Sequence, residues 1–286
     1  MRKALIVGIN DYPNCPLFGC INDARSVAEI LSNHEDGKKN FDVNLKENVE
    51  RKGELLGFID SLFRGNPEVA LFYFSGHGYI DELGGYIVTP DFGPHDMGVS
   101  MCDILRYANE SKAENKVIIL DCCHAGAMGN MTFGNIGESI VGNGVTILTS
   151  SRDDESSMEI GGRGVFTSLL IEALDGGAAN IQGDITPGSI YAFIDQALGA
   201  WEQRPLFKTN IQKFVSIRSV VPRISLDELR VLSECFASPC VEMKLDPSFE
   251  FTNTSDVQHK VIEPCAKEEN VQIFKKLQKL ESVGLI

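Results

Sequence analysis

Two apolar runs, Val69-Ala70-Leu71-Phe72-Tyr73-Phe74 and Val117-Ile118-Ile119-Leu120, constrain the fold of this chain more than any other feature. Neither alternates apolar with polar residues, as a strand with one wet face does, so each reads as a strand buried on both faces. Such strands belong to parallel sheets covered by helices, and these sheets present their ligands at the carboxyl ends of the strands. The residues just beyond each run are therefore informative: Ser75-Gly76-His77-Gly78 after the first, Asp121-Cys122-Cys123-His124-Ala125-Gly126 after the second. One brings an imidazole and the other a thiol to one crevice, as in a Cys/His nucleophilic hydrolase.

Strand-like and helix-like segments alternate as far as about residue 217. The pattern predicts strands near 3–8, 41–46, 68–75, 85–89, 116–121 and 145–150, and helices near 21–33, 50–65, 99–110, 164–175 and 187–199. That is the order of a doubly wound α/β sheet. The first helix begins after Asn22-Asp23, either of which can cap it, and Val27, Ile30 and Leu31 form its inner face. Residues 126–144 and 151–164 are Gly-rich and read as mobile loops at the edge of the site. From residue 221 to 286 the character changes. Leu226, Leu229, Leu232 and Cys235 suggest one amphipathic helix, and Val271, Phe274, Leu277 and Leu280 another. This divides the chain into a main domain over 1–220 and a small α-rich region over 221–286, with a regulatory or docking role expected of the latter.

With 286 residues the chain can bury a large core, and its net charge of -14 disfavours nucleic-acid partners, which require clustered Lys and Arg. No apolar run approaches the ~18 residues of a membrane span, and Ala4-Leu5-Ile6-Val7 reads as a core strand rather than a signal peptide. The expected location is the cytoplasm. The eight Cys are scattered and contain no C-x-x-C, so reduced thiols are expected rather than disulfides or zinc.

Four stretches together carry a resemblance to a known family: Ala4-Leu5-Ile6-Val7-Gly8-Ile9-Asn10, Gly19-Cys20-Ile21-Asn22-Asp23, Tyr73-Phe74-Ser75-Gly76-His77-Gly78 and Asp121-Cys122-Cys123-His124-Ala125-Gly126. The first 217 or so residues resemble a caspase-like cysteine protease of the metacaspase or orthocaspase type, peptidase family C14 of clan CD. His77 and Cys123 lie close to the ~50 residues apart that caspases show. The caspase pentapeptide is replaced by Cys-Cys-His-Ala-Gly, which favours the metacaspase branch. The resemblance implies a three-layer α/β/α sandwich around a mostly parallel six-stranded sheet. It also implies a thiol endopeptidase with His77 and Cys123 as catalytic dyad. The oxyanion hole would be the N–H groups of Gly78 and Cys123. Strand geometry agrees that only one of Cys122 and Cys123 faces the crevice, and His124 is read as structural.

Metacaspases accept Arg or Lys at P1, the residue before the scissile bond, in an acidic S1 pocket. Motif matching puts Cys20, Asp23, Ser75 and Asp121 around that pocket. Asp23 as a helix N-cap and Asp121 as a strand-end residue capping a loop are the plain structural readings of the same residues. Two carboxylates suit the planar fork of Arg better than Lys. The expected partners are proteins with exposed Arg or Lys sites, with an upstream activating protease or regulatory partner besides. No cofactor is expected. Calcium, used by many metacaspases, has only weak candidates in Asp91, Asp96 and Asp103, and Asn130 stands where calcium-binding members carry Asp.

Residues 124–151 hold no Lys or Arg, so a protease of this specificity cannot cut itself in the usual caspase linker. The first basic residues beyond Cys123 are Arg152 and Arg163, and Arg163 is the more accessible processing site. A microbial stress, cell-death or antiviral (antiphage) pathway is the expected setting. The competing readings are a caspase-like pseudoenzyme acting as an adaptor and a nucleotide-binding domain, the second lacking any phosphate loop after Gly8-Ile9-Asn10.

Overall fold

The computed structural model describes residues 1–93, 96–123, 125, 128, 141–150, 159–160, 163–198, 204–213, 215–256 and 264–286. In chain order its strands are β1 (Arg2–Gly8), β2 (Asp42–Glu47), β3 (Val69–Ser75), β4 (Gly78–Asp81), β5 (Gly84–Ile87), β6 (Val99–Ser100), β7 (Asn115–Asp121), β8 (Val145–Thr149), β9 (Glu159–Ile160), β10 (Arg163–Gly164), β11 (Asp184–Ile185), β12 (Leu206–Asn210) and β13 (Arg218–Ser219). Its helices are α1 (Cys20–Ser32), α2 (Lys52–Phe63), α3 (Met101–Glu110), α4 (Val165–Glu172), α5 (Pro187–Ala197), α6 (Leu226–Cys235) and α7 (Glu268–Glu281).

Six strands form one sheet in the order β12-β8-β7-β3-β1-β2. All pair in parallel except β12, which runs antiparallel to β8 at the edge. The apolar runs explain this arrangement: every residue of β3 is buried, and its side chains divide between two cores. Ala70, Phe72 and Phe74 pack with Leu55 and Ile59 of α2 and Ile104 of α3. Val69, Leu71 and Tyr73 face the other way, onto Ala24 and Val27 of α1, Phe166 and Leu170 of α4 and Ile190 of α5. The period-2 alternation thus feeds two helical layers from one sheet. Removing a side chain from either core, Leu71→Ala for instance, costs about 2–5 kcal/mol.

Two expectations are corrected here. The segment predicted as a strand near 85–89 does not join the main sheet; β5 sits between β4 and β6 in a separate three-stranded antiparallel sheet. The sixth strand of the main sheet is β12, whose half-exposed Leu-Phe-Lys-Thr-Asn gives little apolar signal. The Gly-rich segments read as mobile loops fall largely outside the described residues, although Arg163–Gly164 form a two-residue antiparallel pair with Glu159–Ile160.

The chain separates into Met1–Val221 and Pro222–Ile286. The second unit packs Ile224, Val231 of α6 and Leu277 and Leu280 of α7 into its own small core. Val231 rather than Leu226 is the buried anchor of α6, and Leu226 is exposed. Ser225 and Glu228 form a reciprocal capping box at the start of α6, and Lys279 of α7 donates to both carboxylate oxygens of Glu228.

Candidate active site

Strand register builds the site. Gly8 pairs with Ser75 and Ser75 with Asp121, so the last residues of β1, β3 and β7 stand in one row across the carboxyl edge of the sheet. These three ends and the segments that leave them carry the dyad and pocket residues singled out by the motifs.

From β1 the chain turns under Asn48, whose side chain accepts the N–H groups of Asn10 and Asp11. The Asn10 side chain then accepts the N–H of Ile21, in the first turn of α1. That contact corrects the expected cap: the helix begins at Cys20 after Gly19, earlier than a cap at Asn22 or Asp23 allows, and Asn10, far back in the chain, accepts an N–H of its first turn. Asp23 instead turns inward and is buried.

His77 leaves β3 and meets the β1 loop. Its N–H donates to the Tyr12 hydroxyl at 3.1 Å, and that hydroxyl donates to the Val88 carbonyl at 3.2 Å. The two rings meet edge to face at 4.6 Å. Nε2 of His77 lies 2.8 Å from the Cys15 carbonyl oxygen. A carbonyl only accepts, so Nε2 carries a hydrogen, and Nδ1 is the ring nitrogen that this contact leaves to face other groups. Burial pushes the Tyr12 phenol well above its ordinary pKa, despite the opposing hydrogen bond from His77, and so keeps it a neutral donor.

Beyond β7, Cys122 and Cys123 part company. Cys122 is buried in the core among Leu120 and Met128, and burial, reinforced by Cys123 and Asp121, pushes its thiol well above the ordinary range. Cys123 is half-buried. A Cβ on Gly78 would overlap the Cys123 carbonyl oxygen, so only glycine lets the segments after β3 and β7 come this close.

Asp23 and Asp121 converge on a residue that no motif pointed to. The N–H of Gly164 donates to Asp23 Oδ2 at 3.0 Å. A Cβ built on Gly164 would lie 2.5 Å from Asp121 Oδ2 and 3.2 Å from Asp23 Oδ2. Thr167, one helical turn on, donates to Asp121 Oδ2 at 2.6 Å. Ser75 is buried beside Asp121, its strand partner, and Cys20, also buried, lies one turn before Asp23 on α1. Arg163 is exposed although Gly164 is buried; Arg152 and His124 lie outside the described residues. The calcium candidates have partners of their own. Asp91 accepts from the Lys52 N–H and the Thr89 hydroxyl, Asp96 from the Lys52 ammonium, and Asp103 from Arg106. They do not converge into one ligand set, and among the described residues no group of three His, Cys, Asp or Glu could hold a metal. Asn130 lies outside the described residues.

The residues missed by sequence reasoning are Tyr12, the Cys15 carbonyl, Gly164 and Thr167. Their roles arise from contacts between distant segments, which leave no local pattern; an Asp-Tyr beside Asn10 and a Gly before an apolar helix start were the faint signals.

The family model for the caspase domain, peptidase family C14, matches residues 1–216. The chain belongs to this family. Its caspase domain is that of a cysteine peptidase, a hydrolase of protein substrates. Its fold is similar to that of a Geobacter sulfurreducens protein, GSU0716, at 16% identity and a TM-score of 0.55 over 77% of this chain and 97% of that one. It is similar also to caspase-1 from Spodoptera frugiperda, at 17% identity and a TM-score of 0.54 over 76% of this chain and 90% of that one. Both likenesses are of fold. No curated protein sequence matches the chain. Among the described residues no helix is long and apolar enough to cross a membrane.

Proposed function

We propose that the chain is a metacaspase-type endopeptidase that cuts after Arg, and less readily after Lys, with Cys123 as nucleophile and His77 as its acid-base partner. The observation that carries this specificity is the convergence of Asp23 and Asp121, both buried, on one main-chain position next to the row that bears the two motifs. Two desolvated carboxylates call for a cation. A guanidinium supplies several charge-assisted hydrogen bonds, each worth about 1.5–3 kcal/mol. A neutral P1 side chain brings no opposite charge to either carboxylate, so discrimination of at least ~10⁴ is expected.

A free thiol with a pKa of about 8.5 is only a few per cent thiolate at neutral pH; Nδ1 of His77 takes the Cys123 thiol proton, and the imidazolium so formed favours the anion. The Cys123 sulfur attacks the scissile carbonyl carbon, and the carbonyl electron pair moves onto oxygen, where the N–H groups of Gly78 and Cys123 hold it. Collapse of this adduct expels the amine, which takes a proton from His77 and leaves a thioester on Cys123. Water then gives a proton to His77 and attacks the thioester, releasing the new carboxyl terminus. Because Nε2–H is held by Cys15, the proton cycles on Nδ1. The scheme needs no cofactor, and S1 comprises Cys20, Asp23, Ser75 and Asp121.

Arg163 is the processing site of this reading, and a cut there requires the Gly164 N–H to leave Asp23. A cytoplasmic role in a microbial stress, cell-death or antiphage pathway belongs to the proposal and rests on the resemblance alone. The test is a P1 scan with fluorogenic peptides, run beside Cys123→Ala. Cleavage after Arg and Lys that vanishes in the variant is expected; a preference for P1 Asp overturns the reading.

A further inference from the structure

Asp121 is oriented by two side chains that belong neither to the dyad nor to the four S1 positions. Thr167, fully buried in the first turn of α4, donates to Asp121 Oδ2 at 2.6 Å. Tyr73 of β3 places its hydroxyl 2.6 Å from Thr167 Oγ1. An ionised carboxylate only accepts, so the Thr167 hydrogen is committed to Asp121, and the hydrogen between the two hydroxyls comes from Tyr73. The order is fixed from Tyr73 to Thr167 to Asp121. Burial first, then the charges of Asp121 and Asp23, push the Tyr73 phenol well above its ordinary pKa, so it stays a donor.

Packing alone does not call for this chain of groups. Valine would fill the space of Thr167 without a hydroxyl to satisfy, and phenylalanine that of Tyr73. A threonine inside a helix can bond back to the carbonyl four residues earlier, but for Thr167 that residue is Arg163, which precedes the helix cap Gly164. Here the neighbour Ser168 makes that local bond, to Gly164, while Thr167 reaches across to the sheet. What the relay does is fix the rotation of one carboxylate. Rotation matters to a guanidinium, whose planar fork must meet the carboxylate plane, and matters little to an ammonium, a compact charge with rotatable donors.

We infer that Thr167, backed by Tyr73, is a specificity-determining positioning residue that locks the Asp121 carboxylate in the orientation that favours Arg over Lys at P1. This rests on the basic-P1 reading of the pocket. It adds a layer behind that pocket, built from the sheet and α4 together.

The experiment compares kcat/KM on matched peptides with P1 Arg and P1 Lys for the wild type, Thr167→Val, Thr167→Ser and Tyr73→Phe. Thr167→Val removes the donor at nearly constant volume and is expected to lower the Arg value about tenfold, the equivalent of one hydrogen bond, while the Lys value falls less than about threefold. Thr167→Ser keeps the hydroxyl and restores the Arg-to-Lys ratio; Tyr73→Phe lowers it partway. An unchanged ratio in Thr167→Val, equal losses on both substrates, or a serine variant as impaired as the valine one overturns the inference. If Thr167→Val does not fold, Tyr73→Phe decides alone, a lowered ratio supporting the inference and an unchanged one overturning it. A wild type that prefers acidic P1 residues would instead remove the underlying reading, and that is visible before any variant is made.

Discussion

Tyr12 grips His77 at two points: its hydroxyl accepts the histidine's main-chain N–H, and its ring meets the imidazole edge to face. The same hydroxyl donates onward to Val88, so one buried side chain ties the loop after β1 to both ends of the small sheet's first hairpin. Tyr12→Phe keeps the ring and removes both hydrogen bonds. The loss of a buried hydroxyl that serves two main-chain groups is expected to cost about 1–3 kcal/mol of stability. Because His77 loses its anchor, peptidase kcat is expected to fall by about tenfold, with KM little changed. Steady-state kinetics and a denaturant titration check this, and a variant with full kcat removes Tyr12 from the positioning of His77.

Gly164 lies in ordinary backbone space, with φ near -66°, so the main chain itself accepts alanine there. What forbids alanine is the pair of carboxylates. Gly164→Ala is expected to displace Asp121 and lower stability by about 1–3 kcal/mol. Cleavage after Arg should drop in parallel. Thermal unfolding and P1-Arg kinetics read the two effects, and wild-type values in both would mean that the approach of Gly164 to Asp121 is not a tight one.

The two adjacent thiols differ in burial. Cys122, buried and held in its protonated form, is expected to resist iodoacetamide at about pH 8 in the native state, while Cys123 is alkylated. Peptide mass mapping after timed labelling distinguishes them. Modification of Cys122 at the rate of Cys123 would contradict the burial of its sulfur.

In the unit Pro222–Ile286, Lys279 and the Ser225 N–H lower the Glu228 carboxyl from its ordinary 4.5 to about 2. A lowered carboxyl pKa adds stability above the ordinary value and loses it as the pH falls through the window from 4.5 to about 2. Wild type should therefore melt above Glu228→Gln at about pH 7, and the gap should narrow steadily below pH 4.5. Circular dichroism melts across this range supply the measurement; a gap independent of pH would show that the ion pair adds nothing.

Much of the fold was legible because the apolar runs of β3 and β7 leave no choice but a doubly covered sheet. The helices that cover it announce themselves by periodicity, as with Val27 and Leu31 of α1. β12 was not legible, since an edge strand with exposed Thr209 and Asn210 needs no apolar pattern. The His77 and Cys123 motifs stood out because each comes directly after a strand in sequence. Gly164 and Thr167 did not, because a glycine and a threonine acquire a role here only through what a distant segment places against them. Asp23 shows the same limit from the other side. Local sequence pattern offered a helix cap and the resemblance an S1 residue, and tertiary contact made it a buried acceptor while Asn10 took over the capping.

The hydrogen bond from Gly164 to Asp23 joins residues 141 positions apart. If the pocket selects basic side chains as proposed, a growing chain that has already released both the imidazole and the thiol still lacks a finished pocket until α4 docks.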